Sequence, residues 1–507
     1  MESAFPAPLP SPLQRFLVLM SVTLATSLYS MTLMIVTVVL PEVQGSLSTT
    51  QDQIALVLTF NLVATAVVTP MTGWLVSRFG RRRLMLAALV GFVAATILCG
   101  MANSLAALVV FRVLQGAFGA PMIPLAQAIT LDTYPRHQHG FAQSVFGMGV
   151  VVAPALGPIL GGYLAETYNW RWAFFIIVPL GVAALVGVWA YVRDARAIAA
   201  TRLDWTGFLT LSASVVALQL ALDRGQRLDW FESPEIIIEA TVAVVALYLF
   251  VAHTFTARRP FIDPAILLDR NFCLGLLLVG MYGMVNFTPM ALLPPLLEGV
   301  AGYPSSIIGL LVGMRGVGAV AGFFAAMYFG RIDPRYGMLF GFVLLGGTGW
   351  YMGEFDPNVA VVDVILVSLV QGFAIGVAWV PLSVATFSTL DRRFLSEGTA
   401  LFHLLRNIGS SVFISVSVAV IQRTSQVNYA EIGEAVTPYN ERLAYPDLMG
   451  LWSTETSQGL AMLSREMSRQ ATMIGYLNAF HLYAFACAAV LPLVMAMRRP
   501  RKDRSAP

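Results

Sequence analysis

The sequence predicts an all-α protein that crosses a lipid bilayer many times. Of its 507 residues, 57% are hydrophobic and only 12% are charged, and the mean hydropathy is +0.73. A soluble protein of this composition would expose large apolar patches. Apolar runs of about twenty residues recur along the chain, and each can cross a hydrocarbon core of about 30 Å as a helix. A membrane β-barrel would instead show short strands of alternating polarity.

The apolar runs predict fourteen membrane spans. The first eight lie near residues 16–40, 53–75, 84–102, 105–130, 140–164, 172–192, 204–222 and 235–254. Six more lie near residues 271–296, 304–330, 336–353, 361–388, 398–421 and 475–496. The first span is too long for a signal peptide and lacks a small-residue cleavage site, so we expect it to remain as the first helix.

Basic residues mark one set of alternate loops. Because Lys and Arg accumulate in cytoplasmic loops, we expect these loops and both termini to face the cytoplasm. The net charge of +3 is therefore a topology signal and does not indicate nucleic-acid binding. The clusters follow spans two, six, eight, ten and twelve or end the chain: Arg78, Arg81, Arg82 and Arg83; Arg193, Arg196 and Arg202; Arg258, Arg259 and Arg270; Arg331 and Arg335; Arg392 and Arg393; and Arg498, Arg499, Arg501, Lys502 and Arg504.

Spans four and twelve share a short pattern. Span four has Gln115-Gly116 ahead of a Pro-Leu pair, and span twelve has Gln371-Gly372 ahead of another. The offset of eight spans favours two parallel six-helix repeats, as in transporters that rock around a midplane site. Chance recurrence in apolar helices is one alternative, and a channel built from repeats is another.

The repeats divide the chain into three parts. We expect residues 1–200 to form one six-helix bundle and residues 261–507 the second, with an outer loop at about 422–474. Residues 201–260 then supply two transmembrane helices inserted between the bundles. The outer loop mixes aromatic and charged residues, so a small folded cap and a disordered loop are both open interpretations.

Residues 147–162 form a span rich in glycine and proline. Glycines allow close helix contact, and each proline removes one intrahelical hydrogen bond. The pattern predicts a helix that bends and touches its neighbours closely. The residues concerned are Gly147, Gly149, Pro154, Gly157, Pro158, Gly161 and Gly162.

Three motifs in chain order resemble the major facilitator superfamily, in particular its fourteen-helix drug:proton antiporter branch. The loop at 73–83 is similar to the family's loop motif, and residues 147–162 are similar to its antiporter motif. Arg112, with the Gln-Gly pair that follows it, is similar to the fourth-helix motif. The resemblance implies the major facilitator fold over nearly the whole chain. It also implies a coupling or gating role for Gly73, Arg78, Gly80, Arg81, Arg112, Gln115, Gly116, Gly149, Pro154, Gly157, Pro158 and Gly161.

Two further segments resemble the EmrB-type multidrug exporters of that branch. One is residues 222–231, which read LDRGQRLDWF, and the other is residues 121–127. The resemblance implies a pump in the cell inner membrane that works with a periplasmic adaptor and an outer-membrane channel. The outer loop at about 422–474 is then a candidate docking site for the adaptor.

Arginines inside predicted spans are costly, so they are functional candidates by default. Arg112, Arg315 and Arg406 are such residues. Guanidinium groups in a cavity would favour anionic or weakly acidic amphiphiles, whereas the alternative is a buried arginine held by helix carbonyls. Polar residues of the spans complete the candidates for a substrate cavity, although many will only join helices. The full set is Gln127, Tyr282, Asn286, Arg315, Gln371, His403, Arg406 and Asn407.

The chain departs from the family pattern at two carboxylate positions. Thr32 stands in the first span where the family usually has an aspartate, and Ser77 replaces the aspartate of the loop motif. Proton antiport needs a group that changes protonation in a water-accessible site. The remaining candidates have no strong claim from sequence: Asp132, Glu239, Asp363, His403 and His481.

The favoured interpretation is a secondary active transporter that exports hydrophobic or weakly acidic amphiphilic small molecules by proton antiport and alternating access. The alternative is a transporter of one metabolite, such as an organic acid, a vitamin or a siderophore, by uptake or facilitated diffusion. A non-transporting sensor or scaffold is a third class. No nucleophile–base set, phosphate loop or metal-ligand spacing indicates an enzyme or a cofactor. The cysteines at 99, 273 and 487 all fall in spans and indicate no disulfide framework.

Overall fold

The computed structural model describes residues 11–193, 203–329, 333–437, 440, 452 and 456–497. Arg196, Arg202, Arg331 and the basic residues of the tail lie outside the described residues. Within the described ranges the secondary structure is helical, with no strand. The helices are α1 (Pro12–Ser46), α2 (Gln51–Phe79), α3 (Arg81–Met101), α4 (Leu105–Gly119), α5 (Met122–Thr133), α6 (His139–Thr167), α7 (Trp172–Phe175), α8 (Ile177–Tyr191), α9 (Trp205–Arg224), α10 (Pro234–Thr256), α11 (Arg270–Gly299), α12 (Ser305–Phe329), α13 (Pro334–Met352), α14 (Val361–Phe387), α15 (Leu395–Glu434) and α16 (Ser457–Ala496).

Within the described residues, each of the fourteen predicted spans lies largely in helix. Thirteen described segments are long and apolar enough to cross a membrane. The span predicted at 336–353 is helix α13, which falls below that measure because Pro334, Arg335 and several glycines dilute its apolar residues. The span predicted at 105–130 is divided between α4 and α5, since the backbone bends at Ala120 and Pro121.

Helix pairings repeat in the two halves of the chain. In the first half α1 packs on α6, α2 on α4, and α3 on α8. Eight spans later α11 packs on α15, α12 on α14, and α13 on α16. The same pairs at the same offset are the pattern of parallel repeats. The exact domain limits at residues 200 and 260 stay predictions.

The glycines of α6 lie against α1. A Cβ on Gly157 would lie 3.0 Å from the carbonyl oxygen of Met31 and 3.1 Å from the nitrogen of Ile35. One turn later, a Cβ on Gly161 would lie 3.2 Å from the carbonyl oxygen of Ile35. Gly149 makes a similar approach farther along α1. Side chains at these positions would push the two helices apart, so α6 needs glycine where it crosses α1.

Helix α9, the first of the two inserted helices, connects the two halves. It packs on α10, and it also contacts α2 of the first half and α15 of the second. Ser415 Oγ of α15 donates a hydrogen bond of 2.9 Å to the carbonyl oxygen of Leu222. Gln226 and Gln422 form a second bond just beyond α9. The inserted helix therefore covers the gap between α2 and α15.

The outer loop is shorter than the sequence predicts. Helix α15 continues to Glu434 and α16 already begins at Ser457, so 422–434 and 457–474 are helical. Tyr429 Oη and Ser464 Oγ lie 2.9 Å apart and join the two extensions. Hydropathy ended the spans early because these turns carry many polar residues, although a Cβ on Gly433 of α15 would lie 3.4 Å from the Cε of Met467 of α16. Residues 438–439, 441–451 and 453–455 of the predicted loop lie outside the described residues.

Candidate functional site

A cavity of about 690 Å³ lies between the two halves of the protein. Its walls come from α1, α2, α4, α5 and α6 on one side and from α11 and α15 on the other, with α9 closing one flank. Most of the lining is apolar. It includes Leu33, Met34, Leu58, Leu62, Ile123, Val150, Pro154, Val215, Phe287, Met290, Leu404 and Ile414.

The cavity is not symmetric along the helices. It extends to Asp223 and Gln226 at the end of α9, and to Pro294 and Pro295 near the end of α11. We call this side the cavity end. The opposite side, where α5 and α14 end, holds Asp132 and is closed by contacts between the halves.

Arg112 is fully buried in α4 at the wall of the cavity. Its Nη1 donates to Gln115 Oε1 over 2.5 Å, and its Nε donates to the carbonyl oxygen of Val57 over 3.3 Å. Gln115 in turn donates to Thr96 Oγ1 over 2.7 Å. Among the described residues, Nη2 of Arg112 has no hydrogen-bond partner. One donor of this buried cation is therefore unsatisfied beside an apolar cavity.

The rest of the fourth-helix motif brings α2 close to α4. A Cβ on Gly116 would lie 3.0 Å from Nδ2 of Asn61 and would also clash with its backbone. Asn61 Nδ2 donates to the carbonyl oxygen of Arg112 over 2.7 Å. Thr65, one turn along α2, shares a bond of 2.7 Å with Tyr29 Oη, and both line the cavity. Glycine at 116 thus allows the polar contacts that hold Arg112 in place.

Arg406 faces the same cavity from α15 of the other half. Its guanidinium carbon lies 5.8 Å from the ring centre of Phe287 and 5.7 Å from that of Trp379. Its Nη2 makes only a long bond of 3.4 Å to Asn407 Oδ1, and its Nε has no partner among the described residues. Of the predicted cavity residues, Arg406 and Asn407 are the two that line this cavity.

Four other predicted cavity residues lie inside the second bundle. Arg315 Nη2 donates to both the backbone oxygen and Oδ1 of Asn286, the latter over 3.1 Å. Tyr282 is buried with its ring centre 5.2 Å from that of Trp379. Gln371 donates to the sulfur of Met352 over 3.6 Å. None of these four is part of the cavity lining in this conformation, so a substrate contact for them stays a prediction.

The last two predicted cavity residues, Gln127 and His403, join the halves at the closed end. Gln127 Nε2 donates to Ser383 Oγ over 2.8 Å, and His403 Nε2 donates to Gln127 Oε1 over 2.7 Å. Ser383 Oγ donates to Gln143 Oε1 over 3.1 Å. All four side chains are buried. We call these four residues the inter-bundle latch, since they tie α5 and α6 to α14 and α15.

Beyond the latch, the loop motif meets the second half. A Cβ on Gly73 would lie 3.2 Å from Cα of Glu397, so α2 and α15 are in close contact there. Arg81 Nη1 forms a salt bridge of 2.7 Å with Asp132, and Arg392 of the second half approaches Asp132 at 4.0 Å. These contacts close the same end of the molecule as the latch.

The loop motif also contains a required turn. Gly80 has φ of 81°, a conformation that favours glycine, and it separates α2 from α3. Arg78 is exposed in the last turn of α2. Ser77 Oγ donates to the carbonyl oxygen of Trp74 over 2.7 Å, within its own helix. The hydroxyl that replaces the family's aspartate is thus used locally.

Sequence reasoning missed Asp223. The predicted span ended at residue 222, whereas α9 continues to Arg224 and carries Asp223 to the cavity wall. It also missed Ser383, Gln143 and Glu397, because no sequence pattern pairs residues so far apart in the chain.

In the described ranges no group of three His, Cys, Asp or Glu could hold a metal ion.

Comparisons with known proteins agree with this architecture. A family model described as Major Facilitator Superfamily matches residues 22–414. The chain is 34% identical to Multidrug export protein EmrB of Haemophilus influenzae over 491 residues, which cover 96% of both proteins. It is 31% identical to Fatty acid resistance protein FarB of Neisseria gonorrhoeae, over 95% of this chain and 96% of that protein. A solved double-tryptophan mutant of XylE shares the fold, with a TM-score of 0.64 at 12% identity over 97% of each chain.

The predicted family and fold are confirmed by these matches. The family model alone covers more than half of the chain, and the thirteen apolar helices make the protein a multi-pass membrane protein. The chain therefore belongs to the Major Facilitator Superfamily, among its EmrB-like members.

Proposed function

We propose that the protein exports hydrophobic or weakly acidic amphiphiles by alternating access, driven by proton antiport. The observation that carries the proposal is the pair of arginines in one cavity. Arg112 and Arg406 come from opposite halves, and each has a guanidinium N–H without a partner among the described residues. An anionic head group in the cavity would face both positive charges, and guanidinium groups bind carboxylates and sulfonates through charge-assisted hydrogen bonds.

The remainder of the cavity suits the apolar part of such a molecule. Its volume of about 690 Å³ falls in the range of pockets that enclose drug-sized ligands. Phe287, Met290 and several leucines form adaptable walls. The name of the relative FarB refers to fatty acids, and a fatty acid is an anionic amphiphile.

Alternating access is supported by the contrast between the two ends. The latch closes one end, while the cavity extends toward the other. The latch end also carries the basic residues that follow even-numbered spans, such as Arg81 and Arg392. By the positive-inside rule that end faces the cytoplasm, along with both termini. We therefore assign this conformation to the outward-facing state of a protein in the inner membrane.

Coupling and gating are assigned to the motif residues that join moving parts. Arg112, Gln115 and Gly116 hold α4 to α2 next to the cavity. The small residues of α6, together with Pro154, allow that helix to move against α1, and Pro158 keeps only the role that the resemblance implies. In the loop motif, Gly73, Gly80 and Arg81 act at the closed end, where the halves separate when the inward-facing state forms.

We also assign an adaptor-docking role to the helical extensions at 422–434 and 457–474. Each extension continues a membrane helix beyond its predicted span, by about 20 Å for the thirteen residues of α15. A periplasmic adaptor leading to an outer-membrane channel would contact this projection. Deletion of the projection is expected to abolish resistance in cells while flux in liposomes is retained.

Flux into proteoliposomes tests the proposal. The panel holds dodecanoate, anilinonaphthalene sulfonate, a neutral amphiphile and a citrate-sized organic acid, each measured with and without an imposed pH gradient. We expect gradient-driven flux of the amphiphiles, and loss of that flux in Arg112→Ala with folding retained. Flux that is the same with and without the pH gradient would contradict proton antiport. Transport of the organic acid alone would favour a single-metabolite transporter.

A further inference from the structure

The cavity contains one carboxylate, in a place that the proposed anion site does not use. Of the residues that line the cavity in the described chain, Asp223 is the only acidic one. It lies in the last turn of α9 and is exposed to the cavity. Gln219 Nε2, one turn earlier and also in the lining, donates to Asp223 Oδ1 over 3.2 Å. This carboxylate is therefore accessible from the cavity and oriented by Gln219.

The nearest arginine in sequence does not neutralise Asp223. Arg224 points instead to α10, where it forms bonds of 2.5 Å to Glu235 and 2.9 Å to Glu239. Arg224 thereby bridges both carboxylates, and none of its guanidinium bonds to side chains goes to Asp223. Among the described residues Asp223 has no salt-bridge partner at all.

The other elements packed on α9 present few charges to this position. Helix α10 contributes Glu235 and Glu239, which are paired with Arg224. Helix α2 lines the cavity with uncharged residues only, and α15 contributes Arg406. Arg112 of α4 shares the cavity as well. The site is thus a carboxylate at the cavity end with two guanidinium groups elsewhere in the same space.

No other carboxylate of the described residues lines the cavity. Asp132 is held by Arg81, and Glu239 is held by Arg224. At the first-helix position, Thr32 is buried and its hydroxyl donates to the carbonyl oxygen of Leu28 over 2.7 Å. Threonine cannot exchange a proton in the physiological range, so that position cannot bind a cation through charge.

We infer that Asp223 is a second binding subsite of the cavity, which takes the positive group of cationic or zwitterionic amphiphiles in competition with a proton. The ionised carboxylate attracts an ammonium or phosphonium group, and protonation of the same oxygen removes that attraction. Because one carboxylate binds either a proton or a cation, it can exchange one for the other without a further residue. The inference extends the substrate class beyond the anionic amphiphiles of the proposed function and does not depend on proton-driven anion export.

The location of Asp223 links the subsite to the transport cycle. Ser415 of α15 bonds to the carbonyl oxygen of Leu222, the residue before Asp223. Helix α9 also packs on α2 of the opposite half. Movement of the halves therefore changes the surroundings of the carboxylate, and with them its preference for the charged or the neutral form.

Binding of tetraphenylphosphonium to the purified full-length protein tests the inference, because this cation cannot itself titrate. We expect wild-type binding to strengthen as pH rises, with protons released when the cation is added to weakly buffered protein. Asp223→Asn is expected to weaken binding at least about tenfold and to remove its pH dependence. Anilinonaphthalene sulfonate should still bind this variant at least as tightly as the wild type, because the change removes a negative charge from the cavity and leaves both arginines in place.

A matched control is Asp229→Asn, the same chemical change six residues along the chain. Asp229 lies outside the cavity lining and has φ of 55°, which asparagine also adopts. This variant should bind both probes as the wild type does. Wild-type protein that fails to bind the phosphonium, or Asp223→Asn protein that still binds it with the same pH dependence, would overturn the inference. Loss of both probes in Asp223→Asn would mean a structural role and would overturn it too.

Discussion

Removal of the central residue of the inter-bundle latch should open the latch end of the protein. Gln127 makes two hydrogen bonds across the bundles, of 2.8 Å to Ser383 and 2.7 Å to His403. A leucine of similar size keeps the volume but makes neither bond. Each buried hydrogen bond contributes about 1 kcal/mol net. Gln127→Leu is therefore expected to destabilise the latched state by about 2 kcal/mol, which changes the population ratio about thirtyfold.

The variant also leaves Ser383 and His403 short of a partner while the latch is closed. In the open state water hydrates both groups, so the penalty falls on the closed state alone. The direction of the shift is thus fixed by the geometry of the latch.

Distances between spin labels at Arg136 and Arg393 can measure the shift by double electron–electron resonance. Both positions are exposed at the latch end, one in each half. The background is a variant in which Cys99, Cys273 and Cys487 are replaced, because all three are free thiols. We expect Gln127→Leu to move the main population to a longer distance.

Gln371→Leu is the matched control for this experiment. Gln371 is as buried as Gln127, but its amide bonds to Met352 within the second bundle. The control should keep the wild-type distance distribution. If Gln127→Leu keeps it as well, the latch does not hold the closed end and the reasoning fails.

Three further outcomes follow from the described contacts. Arg406→Gln should weaken binding of anilinonaphthalene sulfonate about tenfold, whereas Arg393→Gln, which lies outside the cavity lining, should leave binding unchanged. Gly157→Ala should destabilise the protein by about 1–3 kcal/mol in detergent unfolding, because its Cβ would meet the α1 backbone at 3.0 Å. Gly347→Ala, with nothing within 4 Å of its Cβ, should cause no such loss. Gly80→Ala should cost about 1–2 kcal/mol, since φ is 81° there, and an unchanged melting temperature would refute this reading.

The membrane spans could be predicted because bilayer thickness sets their length. A run of about twenty apolar residues has one stable form in lipid, so local composition decides the outcome. The ends could not be predicted as well. Helices α15 and α16 continue past the hydrocarbon core. There the helices are stabilised by contacts with each other, which hydropathy does not reveal.

The candidate site was only partly readable from sequence. Arg112 and Arg406 stood out because a charge in an apolar run is costly and rarely placed without a use. Tyr282, Asn286 and Gln371 carry the same kind of polar signal, yet they join helices inside one bundle. A span that is apolar on every side does not reveal which face lines a cavity. Asp223 escaped notice because it lies at a span boundary, where composition alone cannot separate loop from helix.

Because α9 packs on only one flank of the protein, the two flanks present different surfaces to the lipid. On one flank α6 and α12 are in direct contact. A Cβ on Gly316 of α12 would lie 3.0 Å from the Cβ of Ala155 of α6. On the other flank α2 and α15 touch near Gly73 and Glu397, and α9 packs on both helices beside the cavity. When the two halves separate, lipid chains can reach the cavity only along the flank that α9 does not cover. We therefore expect an amphiphile that enters from the bilayer to use the α6–α12 flank once the halves separate, because α9 lines the cavity on the other flank.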